Sequence, residues 1–146
     1  MGKSGPDWYR LADEYLRRMP RNFRPQIVEV SPSIVLSNRN SIIKNDTQKL
    51  IHAIPKSNLI IGLDERGEMI TTKELAHNIA HWNMEYQSVS ILIGGANGID
   101  SNYLKSLTVV WSLSRLTLPY QLARIVLIEQ LYRAWTILDN HPYHRD

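Results

Sequence analysis

Apolar residues recur at helical intervals of three and four positions in several stretches of the chain. The stretches with this spacing are Trp8–Leu16, Ile43–Ile54, Leu75–Trp82 and Pro119–Leu138. Thr71 and Glu74 form a capping-box pattern directly before the third stretch. A shorter helix is predicted around Tyr103 and Leu107. The spacing therefore predicts five helices.

Short apolar stretches of strand length lie between these helices. They are Ile27–Val30, Leu59–Leu63, Val89–Ile93 and Val109–Trp111. The second is a continuous apolar run, as expected of a strand that is covered on both faces, and the third is a buried strand of the same type. Strands and helices alternate with short connections, so the pattern predicts one α/β domain over residues 1–146, with a mostly parallel sheet and helices on both faces.

The last predicted helix carries apolar side chains on every side when its residues are placed at steps of about 100°. Within that surface, Glu129 and Arg133 stand four positions apart, in the favourable order for an ion pair. A helix that is apolar all round has to be buried all round. We expect one side to pack on the sheet and another on a second copy of the chain, so this helix predicts a homodimer.

The composition is that of an ordinary globular protein. The 146 residues are 43% hydrophobic and 21% charged, which excludes wholesale disorder. Cysteine is absent, so disulfides, zinc fingers and a thiolate nucleophile are excluded. Apolar runs stay far short of the ~20 residues of a membrane span, and the first residues lack a signal-peptide core. We therefore expect a cytoplasmic protein without a membrane partner.

Positive charge is concentrated in the first part of the chain. Residues 1–60 contain ten Lys and Arg against five Asp and Glu, whereas residues 61–146 contain seven against nine. A basic half favours an anionic partner, nucleic acid foremost, with ordinary solubility as the alternative.

Two familiar motifs are incomplete. Gly2-Lys3-Ser4 ends like a phosphate-binding loop but lacks the preceding glycine and strand. His77 and His81 have the spacing of a two-histidine metal site, yet no third ligand is evident and both point away from the apolar stripe of their helix. We expect two solvated histidines and no metal.

Three polar segments directly follow predicted strands. They are Asp64–Glu68, the glycine-rich Gly94–Gly98 and Ser112–Pro119. Glycines allow a tight turn and a close approach of backbone to a ligand, although Gly94–Gly98 is not a dinucleotide fingerprint. Ligand crevices of open α/β sheets lie at the carboxyl ends of strands. The three segments therefore predict one small-molecule pocket.

The tail His141–Asp146 shows no apolar spacing. It combines an aromatic ring, two imidazoles and a guanidinium, which are groups that stack on bases and bind phosphates. Composition leaves a frayed terminus and an RNA-binding tail equally open.

Five motifs together resemble one family. They are Leu92–Gly95, Trp111–Ser114, Leu116–Pro119, Glu129–Trp135 and Asn140–Arg145. Sequences with these motifs in this order are typical of the RlmH family, the bacterial ribosomal RNA large-subunit methyltransferases H of the SPOUT superfamily. The likeness runs from about Pro6 to the C-terminus and is dense from Leu59 onwards.

The resemblance implies a trefoil-knotted α/β domain that binds S-adenosylmethionine in the knot and dimerises through its C-terminal helix. It implies methylation of N3 of a pseudouridine in helix 69 of 23S rRNA. By the same analogy, the donor-binding residues are Leu63, Gly95, Ser114, Arg115, Leu116, Thr117, Leu118 and Pro119.

The chain departs from the family at its start. Members begin with a strand of some eight residues before the Gly-Lys turn, whereas here Met1 directly precedes Gly2. We therefore expect the usual first strand to be missing, which would leave an unpaired sheet edge.

In-line methyl transfer requires alignment of donor and acceptor and removal of the N3 proton. We assign Tyr143 to stack on or steer the nucleobase and Arg145 to hold phosphate. His144 is the candidate general base, because imidazole titrates near neutral pH. With a net charge of only +3, we expect the RNA to be presented within an assembled ribosome. The alternatives are an inactive knot that only binds ribosomes and an unrelated flavodoxin-like nucleotide-binding protein.

Overall fold

A computed structural model describes residues 6–33, 38–55, 59–85 and 88–145. Its elements are α1 (Pro6–Arg18), α2 (Arg39–His52), β1 (Leu59–Met69), α3 (Thr72–Met84), β2 (Val89–Ile93), α4 (Ser101–Ser106), β3 (Val109–Ser112) and α5 (Tyr120–Leu138). All five predicted helices and three of the four predicted strands are confirmed. The capping box is also present, because Thr71 and Glu74 exchange hydrogen bonds at the start of α3.

The three strands form a sheet in the order β2-β1-β3, and both pairings are parallel. Leu59–Leu63 of β1 lies opposite Val89–Ile93 of β2, and Ile61 lies opposite Val109 of β3. The predicted parallel sheet is therefore confirmed, and the carboxyl ends of its strands lie side by side.

Helices cover both faces of this sheet, as predicted. Alternate residues of β1, such as Ile61, pack with Leu75 and Ile79 of α3 and with Ala134 of α5. On the opposite face, Leu50 of α2 and Leu104 of α4 share a second apolar cluster with the sheet. Ile61 is fully buried, and its period-two neighbours Leu59 and Leu63 pack in the same core, whereas the adjacent Ile60 packs in the opposite one.

Helix α5 lies between the sheet and a third apolar layer. On its outer side, Ile128 and Tyr132 pack with Ala12 and Met19, which belong to α1 and the turn after it. Every residue of α5 up to Ile137 is at least partly buried. The expectation that a second copy covers this side is wrong for the surface that α1 occupies, because this chain supplies the cover itself.

The predicted strand at Ile27–Val30 is also wrong. Ile27 and Val28 are exposed, and this segment pairs with no strand among the described residues. A short apolar stretch reports side-chain polarity, but a strand also needs a neighbouring edge for the hydrogen bonds of its backbone. Side chains position the segment instead: Asp46 of α2 accepts hydrogen bonds from the backbone and hydroxyl of Ser33.

Glu29 fixes the same segment to two helices. Its carboxylate accepts a hydrogen bond from the Tyr9 hydroxyl at 2.5 Å and one from Arg124 Nη1 at 2.5 Å. The Arg124 guanidinium also lies 5.3 Å from the centroid of the Tyr9 ring. The hydrogen bonds from Tyr9 and Arg124 lower the pKa of Glu29 below its ordinary value of 4.5.

This cluster predicts a pH-dependent contribution to stability. The pKa of Glu29 is lower in the folded than in the unfolded chain, so its stabilisation is complete above pH 4.5 and is lost as the pH falls through the folded value. We expect Glu29→Gln to reduce the slope of the unfolding free energy between about pH 5 and 3, measured by urea denaturation. Glu14→Gln, in an exposed pair on α1, is the control. An unchanged slope in Glu29→Gln would contradict the prediction.

Candidate functional site

The three predicted ligand-binding segments meet at one edge of the sheet. Leu63 lies opposite Ile93 of β2 and opposite Trp111 of β3. Gly95 and Leu113 each follow these partners by two residues. Neighbouring strands are about 4.8 Å apart, so the three segments span roughly 10 Å. We call Leu63, Gly95 and residues 113–119 the C-terminal edge.

A tight turn after β2 forms one part of this edge. The Gly98 amide donates to the Gly95 carbonyl at 3.0 Å, and Gly98 has a φ of +78°, which favours glycine. A Cβ on Gly94 would lie 2.7 Å from the carbonyl carbon of Gly98. The turn is therefore closed by glycines, as predicted, and it leaves backbone groups at the edge.

The predicted polar loop Asp64–Glu68 is instead part of strand β1. Leu63 and Glu68 both lie opposite Trp111, so four residues bulge out between two pairings with β3. Within the bulge, Arg66 Nε donates to Asp64 Oδ1 at 2.7 Å and its Nη2 donates to Oδ2 at 3.0 Å. The Arg66 hydrogen bond holds the pKa of Asp64 below its ordinary range.

Hydrogen bonds join this bulge to the loop after β3. Arg115 Nη1 donates to the carbonyls of Glu65 at 3.1 Å and Gly67 at 3.2 Å. The Ser112 hydroxyl donates to the Glu65 carbonyl at 3.2 Å, and the Thr117 hydroxyl donates to the Glu65 carboxylate at 2.5 Å. The side chains of Arg115 and Thr117 therefore build the wall of the edge, while Leu116 is 74% exposed.

The C-terminal tail is folded back against α5 rather than frayed. Asn140 adopts a left-handed φ of 55°, the His141 amide donates to Thr136 at 2.8 Å, and the Asn140 amide donates to Ile137 at 3.3 Å. These are the two hydrogen bonds of a Schellman helix end, and they reverse the chain direction after α5.

Tyr143 is the centre of the folded tail. Its hydroxyl lies 3.1 Å from Glu129 Oε1, and its ring lies 4.8 Å from the Tyr132 ring and 4.8 Å from the Arg133 guanidinium. Burial, with hydrogen bonds to Tyr15 and Glu129, raises the pKa of Tyr143 to about 12. Tyr143 is therefore a neutral phenol at physiological pH and can donate a hydrogen bond.

The other two tail residues differ in exposure. Both ring nitrogens of His144 are shielded from solvent, whereas Arg145 is exposed. The contact between Tyr143 and Glu129 lies nine residues beyond Tyr120, which is roughly 14 Å along the axis of α5. The tail and the C-terminal edge are therefore separate clusters within one chain.

The remaining candidates contribute nothing to either cluster. His77 and His81 are exposed, as predicted, and His81 lies 3.5 Å from Glu85. Across the described ranges, His, Asp and Glu nowhere gather in threes that could hold a metal ion. None of the helices in those ranges has the length and apolar character of a membrane span. The Gly2-Lys3-Ser4 motif lies outside the described residues.

Two contacts of these clusters have no complete signal in the sequence. Nothing in the local pattern pairs Glu65 with Thr117, which lie 52 positions apart. The spacing of Glu129 and Arg133 does signal an ion pair, and Arg133 donates to Glu129 at 2.6 Å. The spacing does not indicate that the Tyr143 hydroxyl also hydrogen-bonds to the Glu129 carboxylate.

Comparison with known proteins gives consistent similarities. A family model described as predicted SPOUT methyltransferase matches residues 1–144. The ribosomal RNA large subunit methyltransferase H of Polynucleobacter asymbioticus is 42% identical, over 100% of this chain and 95% of that protein. The proteins of the same name from Coxiella burnetii and Saccharophagus degradans are 40% and 42% identical, each over 99% of this chain and 96% of the relative.

The packing of the bulge predicts that substitution by alanine lowers stability unequally at two glycines of β1. A Cβ on Gly67 would lie 2.7 Å from the Val110 carbonyl oxygen and 2.7 Å from the Trp111 carbonyl carbon, which are backbone atoms. A Cβ on Gly62 would instead meet the tip of the Leu104 side chain, which can rotate away. We expect Gly67→Ala to lower the free energy of unfolding by about 1–3 kcal/mol and Gly62→Ala by less, in urea denaturation. Equal losses would contradict the packing of the bulge on β3.

Proposed function

The chain belongs to the SPOUT methyltransferase family, and on that premise we propose that it methylates N3 of a pseudouridine in helix 69 of 23S rRNA, using S-adenosylmethionine. The names of the relatives support ribosomal RNA as the substrate. The single observation that carries the proposal is the convergence of Leu63, Gly95 and residues 113–119 at one edge of the sheet. A cytoplasmic location follows from a ribosomal substrate.

We assign donor binding to the C-terminal edge, within the trefoil knot implied by the family. The residues fit such a ligand: the turn at Gly94 has no room for a side chain, and the exposed Leu116 offers an apolar surface to an adenine ring. Leu63, Gly95 and Ser114 to Pro119 would hold the donor. When bound, S-adenosylmethionine supplies a methyl group on a positively charged sulfur, which leaves as a neutral thioether. The chain therefore needs to orient the reactants rather than stabilise an oxyanion.

We assign the acceptor to the tail. Neutral Tyr143 steers the base, the exposed Arg145 holds a phosphate, and His144 takes the N3 proton. Both His144 nitrogens are shielded in this structure, so His144 reaches a substrate only when the tail shifts. We expect contact with RNA to cause that shift of the tail.

We also propose a homodimer through the C-terminal helix. Methyl transfer needs reacting atoms about 3 Å apart, whereas the tail and the C-terminal edge of one chain lie roughly 14 Å apart along α5. A second chain can bring its tail to this edge. Trp8 and Leu11 of α1, which packs on α5, are exposed by 38% and 41% and offer apolar surface for such contact. Equilibrium sedimentation measures the oligomeric state of the chain. A chain that sediments as a monomer and is fully active in methyl transfer would contradict the proposed homodimer.

Methyl transfer to ribosomes tests the proposed reaction. We expect the chain to transfer about one methyl group to each ribosome that lacks the modification, and far less to naked rRNA, because a net charge of +3 binds free RNA weakly. Incorporation of tritium from labelled donor, followed by mass mapping of the nucleotide, measures both. Equal rates on naked rRNA would contradict the ribosome as substrate. Ribosome binding without transfer would favour the inactive binding module.

The His144→Gln variant tests the base. We expect the rate on ribosomes at neutral pH to fall about 10²–10⁴-fold, because general-base catalysis contributes a factor of that size. Donor affinity, measured by calorimetry, should not change. Full activity of His144→Gln would remove His144 from the role.

A further inference from the structure

Helix α5 contributes the arginine to two triads of the same composition, each with an arginine, a glutamate and a tyrosine. Near its start, Arg124 and Tyr9 share the Glu29 carboxylate. Near its end, Arg133 and Tyr143 share the Glu129 carboxylate, and in both triads the guanidinium lies over the tyrosine ring. The first triad joins α5 to the segment after α1, whereas the second joins it to the tail.

Glu129 uses both carboxylate oxygens. Its Oε1 accepts hydrogen bonds from Arg133 Nε at 3.0 Å, from Arg133 Nη2 at 2.6 Å and from the Tyr143 hydroxyl at 3.1 Å. Its Oε2 accepts one from Gln130 Nε2 at 2.6 Å. The side chain of Glu129 is 16% exposed and that of Arg133 is 29% exposed, so solvent screens this charge pair only in part.

Gln130 extends these contacts to another element. Its Oε1 accepts a hydrogen bond from the Thr72 hydroxyl at 2.6 Å. Thr72 is the first residue of α3, next to the capping box formed by Thr71 and Glu74. A continuous path of hydrogen bonds therefore runs from the tail, through α5, to the start of α3.

We propose that Glu129 is a positioning residue that holds Tyr143, and with it the tail, in the orientation needed for methyl transfer. The inference rests on the proposed function. Glu129 acts through Tyr143, whose hydroxyl it binds. A carboxylate suits this role because hydrogen bonds to a charged acceptor are about twice as strong as neutral ones. Arg133 completes the arrangement because it donates to the Glu129 carboxylate and lies over the Tyr143 ring.

The Glu129→Gln variant tests the proposal, with Glu29→Gln as the matched control. Both substitutions remove one carboxylate from a Tyr–Glu–Arg triad whose arginine belongs to α5, so both should lower stability to a similar extent. We expect Glu129→Gln to reduce kcat on ribosomes about tenfold or more, while the dissociation constant for S-adenosylmethionine stays unchanged. Glu29→Gln should keep kcat.

A second readout follows Tyr143 directly. Alkaline titration of tyrosinate absorbance, taken as the difference between the chain and its Tyr143→Phe variant, reports the pKa of Tyr143. Loss of the Glu129 charge should lower that pKa from about 12 towards its ordinary 10, with Tyr15 and Arg133 still facing the ring. The Glu29→Gln variant should leave it unchanged.

The outcomes are decisive in each direction. A lowered kcat together with a lowered Tyr143 pKa, in Glu129→Gln alone, supports the positioning role. An unchanged kcat, an unshifted pKa, or equal loss of kcat in both variants overturns it. If the unsubstituted chain methylates no ribosomes, the proposed function fails, and the positioning of Tyr143 as part of that reaction is overturned with it. In that case the titration still shows whether Glu129 holds Tyr143.

Discussion

Burial of α5 on both sides is the constraint on which the rest of the structure depends. One side packs through Ala134 on α3 and the sheet, and the other packs through Ile128 and Tyr132 on α1. Residues 113–119 directly precede this helix and the tail directly follows it. The packing of one helix therefore positions both clusters of proposed site residues. Its polar residues cannot stay unbonded in such surroundings, and Glu129 meets this requirement by binding Arg133 and Tyr143.

The C-terminal edge depends on contacts between segments that are far apart in sequence. Arg115 and Thr117 use their polar groups to bond to the bulge of β1, which leaves the exposed Leu116 as an apolar surface at this edge. A site built from backbone and fixed loops suits methyl transfer, in which the leaving group departs neutral and alignment is the main requirement. The charged residues of the edge therefore serve mainly to shape it.

Periodicity predicts most of the fold because burial and local geometry agree in those segments. Strand β2 and helix α5 start and end within a residue of their predicted bounds. The failures have physical causes. Ile27 and Val28 are of residue types common in strands but meet no strand edge among the described residues, and the cover on α5 comes from α1, a long-range contact without a local signal. The small-molecule pocket at the C-terminal edge is predictable because its three segments each follow a strand, whereas the bond between Glu129 and Tyr143 depends on a tail that reverses at Asn140.

The most direct test of the account is a calorimetric titration with S-adenosylmethionine, because every proposed step requires the C-terminal edge to bind this donor. The account predicts saturable binding of one donor per chain. It also predicts that Gly94→Ala, whose Cβ would press on the backbone of Gly98, weakens binding, while Gly62→Ala retains it. Absence of binding by a chain that circular dichroism shows to be folded would contradict the central claim.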